Sequence, residues 1–200
     1  MFDFLDPTAL IQTLGILGVF VIVFAESGLF FGFFFPGDSL LFTAGLLASQ
    51  GYFDIYLLVF GCVISAVLGD SVGYAFGKHA GDKIFTREDS LFFHKKHVLS
   101  AQIFYEKHGK KAIVLARFVP IVRTFAPILA GVGKMQYRTF LAYNIIGGVL
   151  WVVGLSLLGF VLGNTIPDID RYILPIVVVI IIGSFVPMIV SYVQNKKSSS

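Results

Sequence analysis

Long apolar runs alternate with short polar interruptions along this chain, and the spacing of the interruptions sets which elements to expect. Thr8 to Ala25 is apolar apart from Gln12 and Thr13, close to the roughly 20 residues a helix needs to cross a bilayer. Pro7 suits its start, since the first turn has no use for the N–H that proline lacks. Gly28 to Gln50 is interrupted at Pro36, Gly37 and Asp38. At about 1.5 Å per residue the limb before Pro36 reaches only about 12 Å, less than half of a roughly 30 Å hydrocarbon core, so a re-entrant hairpin is expected. Ile55 to Gly77 is long enough to span, and Gly69, Gly73 and Gly77 line one helix face that a neighbouring backbone can approach. Leu115 to Met135 is apolar yet holds Arg117, Pro120, Arg123 and Pro127. It reads as a second hairpin, broken at the two prolines. Further spans are expected from about Tyr137 to Gly163 and from about Tyr172 to Val193.

The polar segments decide which runs cross. Lys78 to Lys111 carries eight Lys or Arg against four Asp or Glu, and Lys196 and Lys197 follow the last run. Basic loops stay cytoplasmic. Were all six runs to cross, the basic loop and the C-terminus would lie on opposite sides; if the runs at Gly28 to Gln50 and Leu115 to Met135 only dip in, both lie inside. The expected fold is therefore all-α and polytopic, with four spanning helices, two opposed re-entrant helical hairpins and both termini cytoplasmic. Amphipathic interfacial helices are expected at Phe2 to Leu5 and at Ser90 to His108, where Phe92, Leu99, Ile103 and Phe104 sit among Lys and His. An offset of 86 residues aligns Ala44 and Gly45 with Ala130 and Gly131, Gly61 with Gly147, Gly73 with Gly159 and Gly77 with Gly163. The chain reads as a single domain, 1–200: a first repeat at about 26–77, the loop at 78–111, a second, inverted repeat at about 112–163 and the last span at about 172–193. Inverted repeats with interrupted helices are a transporter design.

Composition narrows the class further. Charged residues are 14% of the chain, the mean hydropathy is +0.86, and soluble domains are nearer a quarter charged. The net charge of +3 comes from basic residues gathered in two places, which topology explains without a nucleic-acid partner. Cys62 is the single cysteine, leaving no internal disulfide and no cysteine metal cluster. The N-terminus has neither the basic region nor the cleavage site of a signal peptide, so the first run is expected to be retained. No cofactor or metal is expected.

Five charges lie within apolar segments: Glu26, Asp38, Asp70, Arg117 and Arg123. A charge at the bilayer centre costs roughly 2.5 to 3.5 kcal/mol even on the lenient insertion scale, so these groups should face protein, water or one another. One reading is structural ion pairing, most readily for Asp70 and for Arg117 near Lys110 and Lys111. The other is a cavity between facing hairpins in which Arg117 and Arg123 hold an anionic group while Glu26, Asp38 and Asp70 serve proton coupling or gating. Arginine offers a planar donor fork that binds phosphate bidentately, and a helix break exposes backbone N–H groups to an anion. Other signals are weaker. Gly37 to Leu40 spells GDSL but lacks a downstream Asp-x-x-His, and Gly69 to Gly73 is not a nucleophile elbow, so no enzyme is expected. His94 and His97 suit a solvated or lipid-facing helix better than a metal. Trp151 reads as packing or lipid-facing.

Glu26, FFPGDSLL around Asp38, GDSVGYAFGKHAG at 69–81 and ARFVPIVRTFAPILAGVGKM together resemble the DedA family of bacterial inner-membrane proteins, also called the SNARE-associated Golgi or VTT-domain family. The resemblance implies two opposed re-entrant hairpins. It further implies that an acidic pair at Glu26 and Asp38 and an arginine pair at Arg117 and Arg123 are required for function. The implied activity is lipid movement between leaflets, with membrane lipids as partners. Relatives include undecaprenyl phosphate flippases, proteins linked to phosphatidylethanolamine and phospholipid scramblases. A phosphate-bearing lipid, with undecaprenyl phosphate as the leading candidate, is the expected cargo, with protons as a coupling partner; a proton-coupled small cation or drug transporter is the alternative.

Overall fold

The computed structural model describes residues 7–28, 37–80 and 109–166. Several expectations lie outside these residues: the interfacial helices at 2–5 and 90–108, Pro36, His94, His97, and the last span at 172–193. The described elements are helices: α1 Pro7–Gly28, α2 Gly37–Ser49, α3 Ile55–Ala80, a 3-10 turn Gly109–Lys111, α4 Ala112–Ala116, α5 Pro120–Val132 and α6 Tyr137–Thr165.

Local chemistry sets their ends. Asp54 Oδ1 accepts the N–H of Leu57 at 2.8 Å, capping α3, and Lys78 and His79 stand in its last turn, where the helix dipole favours cations. Helix α2 begins with Gly37 and places Asp38 in its first turn, where a carboxylate is favoured. It closes at Gly51, whose φ of +85° suits glycine. Helix α5 starts with Pro120 behind the extended Val119. Its C-terminus closes through Met135 N–H to the Ala130 carbonyl and Lys134 N–H to that of Gly131, both at 3.0 Å.

Two expectations need correction. Pro127 does not break its segment: α5 runs through it to Val132. Proline lacks the N–H that would reach the carbonyl of Arg123, but one missing bond in a packed helix is tolerated where neighbouring helices hold it. The interruption falls instead at Arg117 to Val119, between α4 and α5. The first apolar run is also not one straight rod, because Gly15 has φ 63° and ψ −164° and divides α1 there. That left-handed φ is strained for any other residue.

Helices α3 and α6 have apolar stretches of 25 and 29 residues, about 37 Å and 43 Å long and able to cross a hydrocarbon core of about 30 Å. Helices α2 and α5, at 13 residues each, reach only about 20 Å. The long helices keep apolar side chains on their outer faces. Leu57, Phe60, Ile64, Leu68, Val72 and Phe76 form an exposed stripe on α3, and Ile146, Leu150, Leu157 and Val161 are exposed on α6. A stripe of that extent facing water would be an aggregation surface; facing lipid it is at rest.

The short helices lie at the centre. Nearly every residue of α2 is buried, the mark of a helix enclosed on all sides. It packs chiefly on α6, while α5 packs chiefly on α3. Both contacts bring backbones together at glycine: a Cβ at Gly159 would collide with the Phe42 carbonyl, and one at Gly77 with the Ile128 carbonyl. Phe42 and Ile128 are related by the same 86-residue offset that aligns the glycines. Helix α1 meets α3 where Gly28 and Gly69 touch, which brings Glu26 and Asp70 to the same level.

Candidate functional site

All five charges of the apolar segments converge between α1, α2, α3, α5 and α6. Arg123 reaches across from α5 to both members of the acidic pair, bonding Glu26 Oε1 through Nη2 and Asp38 Oδ1 through Nη1 at 3.0 Å. Arg117, in the break before α5, donates through Nη2 to Asp70 and to Asn144 Oδ1 at 2.6 Å. Asn144 in turn donates to the Val67 carbonyl at 3.1 Å, tying α6 to α3. Glu26, Asp70, Arg117 and Asn144 are buried; Asp38 and Arg123 are half-buried, their side chains 22% and 13% exposed.

Glycines make room for these groups. A Cβ on Gly37 would occupy the space of the Glu26 carboxylate, so the start of α2 can receive it only because residue 37 has no side chain. Across the site, a Cβ on Gly147 would come within 3.1 Å of the Arg117 side chain.

Trp151 of α6 stands between the two arginines. Its indole N–H donates to Asp38 Oδ1 at 2.7 Å, the same oxygen that accepts from Arg123. The guanidinium carbons of Arg117 and Arg123 lie 5.7 and 5.4 Å from its ring centroid, within the roughly 6 Å range of a cation–π contact. Trp151 is thus not lipid-facing: its ring packs in the hydrophobic core, and its buried indole N–H, which needs an acceptor, finds one in a carboxylate. Asn144 and Trp151 were not expected at the site. A polar Asn within an apolar span was the available signal for the first, and its spacing of two turns from Trp151 puts both on one face of α6.

Among the described residues three carboxylates face two guanidiniums, so this set, fully ionised, carries a formal charge of −1. Glu26 Oε2 and Arg117 Nε have no hydrogen-bond partner among the described residues. The cavity between Glu26, Asp70, Arg117, Arg123, Pro127 and Trp151 has a volume of about 10 Å³, room for about one water. In this arrangement the arginines are occupied by carboxylates.

Lipid-facing stripes on two helices of spanning length, around a buried constellation of paired charges, define a helical membrane protein with a polar centre. The VTT domain matches residues 35–161. The chain is 44% identical to Protein DedA of Escherichia coli K12 over 184 residues, covering 91% of this chain and 84% of that protein. It is 41% identical to an uncharacterized membrane protein of Mycobacterium leprae over 180 residues, 90% of this chain and 80% of that one. The chain belongs to the VTT-domain, or DedA, family of membrane proteins. No solved structure matches it.

Proposed function

We propose that this protein is a lipid translocase, a transporter and not an enzyme, that moves a phosphate-bearing lipid between leaflets, with undecaprenyl phosphate as the leading cargo. The observation that supports this reading is the convergence of Arg117 and Arg123 with Glu26 and Asp70 on one cavity, with Asp38 paired to Arg123 beside it. Two guanidiniums are suited to a phosphate. The excess of carboxylate adds a condition: a site with formal charge −1 repels an anion, so the phosphate enters as carboxylates take up protons and release arginine. Cargo and proton then travel as a coupled pair.

The small cavity also requires opening, since no headgroup fits it closed. Helices α2 and α5, too short to cross, suit the membrane-inserted arms of two opposed hairpins that rock against α6 and α3 while the lipid tail stays in the bilayer. The complete topology in this proposal has four spans and both termini cytoplasmic, in the bacterial inner membrane. The test is reconstitution in liposomes with labelled polyprenyl phosphate. Flipping should be lost on Arg123→Ala, and unchanged rates would defeat the phosphate role.

The same negative excess favours a second reading, exchange of a small cation for protons at the carboxylates. That reading requires cation-driven proton flux in liposomes free of polyprenyl phosphate.

A further inference from the structure

We propose that Trp151 is a positioning residue that makes Arg123 exchangeable, so that one arginine moves to the cargo while the other stays as a fixed tie. The inference rests on the translocase reading and assigns the two arginines different tasks within it.

The two ion pairs are built differently. Arg117 is buried, and its Nη2 is shared by Asp70 of α3 and Asn144 of α6, with Asn144 also bonded to the α3 backbone. Three elements meet at that guanidinium, and releasing it would undo their contact. Arg123 is more exposed and bonds side chains of α1 and α2. On Asp38 it shares its acceptor oxygen with the Trp151 indole N–H, at 3.0 Å and 2.7 Å.

That sharing lowers the cost of exchange. When Arg123 leaves Asp38, Oδ1 keeps a donor already in place, and the carboxylate does not have to find one inside a dry site, where losing a charged hydrogen bond is costly. The indole ring also presents its face to Arg123 at 5.4 Å, so the guanidinium has a favourable surface between its carboxylate position and a cargo position. The ring stands near Arg117 as well, at 5.7 Å. There it offers no N–H to Asp70, because the indole has only one and Asp38 receives it.

Among the described residues, the charged groups around this device are Arg123 from α5, Glu26 from α1, Asp38 from α2 and, across the ring, Asp70 of α3 with Arg117. Each is already assigned to an ion pair. Trp151 is the neutral member that touches both sets.

Trp151 is also the single tryptophan of the chain, so its emission reports the site directly. In liposomes, titrating wild-type protein with polyprenyl phosphate should shift that emission, and the matching uncharged polyprenol should not. Trp151→Phe keeps a ring but removes the N–H. It should raise the half-saturating concentration of polyprenyl phosphate about tenfold, the equivalent of one charged hydrogen bond. A purely structural role would lower the amount of folded protein and leave half-saturation alone. Wild-type half-saturation in Trp151→Phe, or wild-type emission unmoved by saturating polyprenyl phosphate during active flipping, overturns the inference while the translocase reading stands. A wild-type protein that flips no phosphate-bearing lipid overturns the translocase reading, and the inference falls with it.

Discussion

Replacing Arg117 by leucine removes the guanidinium that Asp70 and Asn144 share inside the bundle. Both charged side chains are nearly inaccessible, at 6% and 7%, so little solvent screening softens the loss. A buried pair broken at one partner leaves an uncompensated charge, and the expected destabilisation is about 3 to 5 kcal/mol. Asp70→Leu alone strands the cation and should cost a similar amount. In the double variant both charges are gone and leucine fills comparable space. What remains is Asn144 Oδ1 without its donor, worth about 1 to 3 kcal/mol, while its bond to the Val67 carbonyl survives. The double variant should therefore be more stable than either single one, with a coupling on the order of 3 kcal/mol or more. Reversible unfolding in mixed micelles, followed by helix content against denaturing detergent, measures all four proteins. Additive losses, with the double variant worse than both singles, would refute the claim that this pair is a fixed tie.

Three further outcomes follow from the geometry. Gly77→Ala and Gly159→Ala force a methyl against the Ile128 and Phe42 carbonyls; each should lower stability by about 1 to 3 kcal/mol in the same micelle titration. Gly154→Ala, at a position with open space around it, should be neutral or stabilising by up to about 1 kcal/mol, and equal effects at all three positions would contradict the close helix contacts. Gly37→Ala should push the Glu26 carboxylate away from Arg123 and cut flipping more than stability, which paired transport and unfolding measurements would separate.

Much of the architecture was legible in the chain because a bilayer constrains it severely. Runs of apolar residues long enough to cross marked the stretches now in α3 and α6, and the five charges within apolar runs were too costly to be incidental. Of the glycines spaced by four in the third run, Gly69 meets the backbone of α1 and Gly77 that of α5, while Gly73 faces the side chains of Pro127 and Ile128. The prolines were read less well. Pro120 opens α5, but Pro127 lies within it, because whether a helix tolerates a proline depends on the neighbours that hold it, which no local pattern reveals.

The partners of the charges were decided only by tertiary structure. Sequence separates Glu26 from Arg123 by 97 residues and Asp38 from Trp151 by 113, and any carboxylate could have met either arginine. The crossing of α1 with α3 at Gly28 and Gly69, and the seating of α2 on α6 and α5 on α3, assigned Asp70 to Arg117 and the acidic pair to Arg123. Trp151 shows the division most plainly. Its residue type said only that an apolar ring carried one polar atom, and its position on α6 between two guanidiniums turned that atom into a contact with Asp38. Residue chemistry determined that the charges must be satisfied inside the membrane protein; the packing of short helices on long ones determined which group satisfies which.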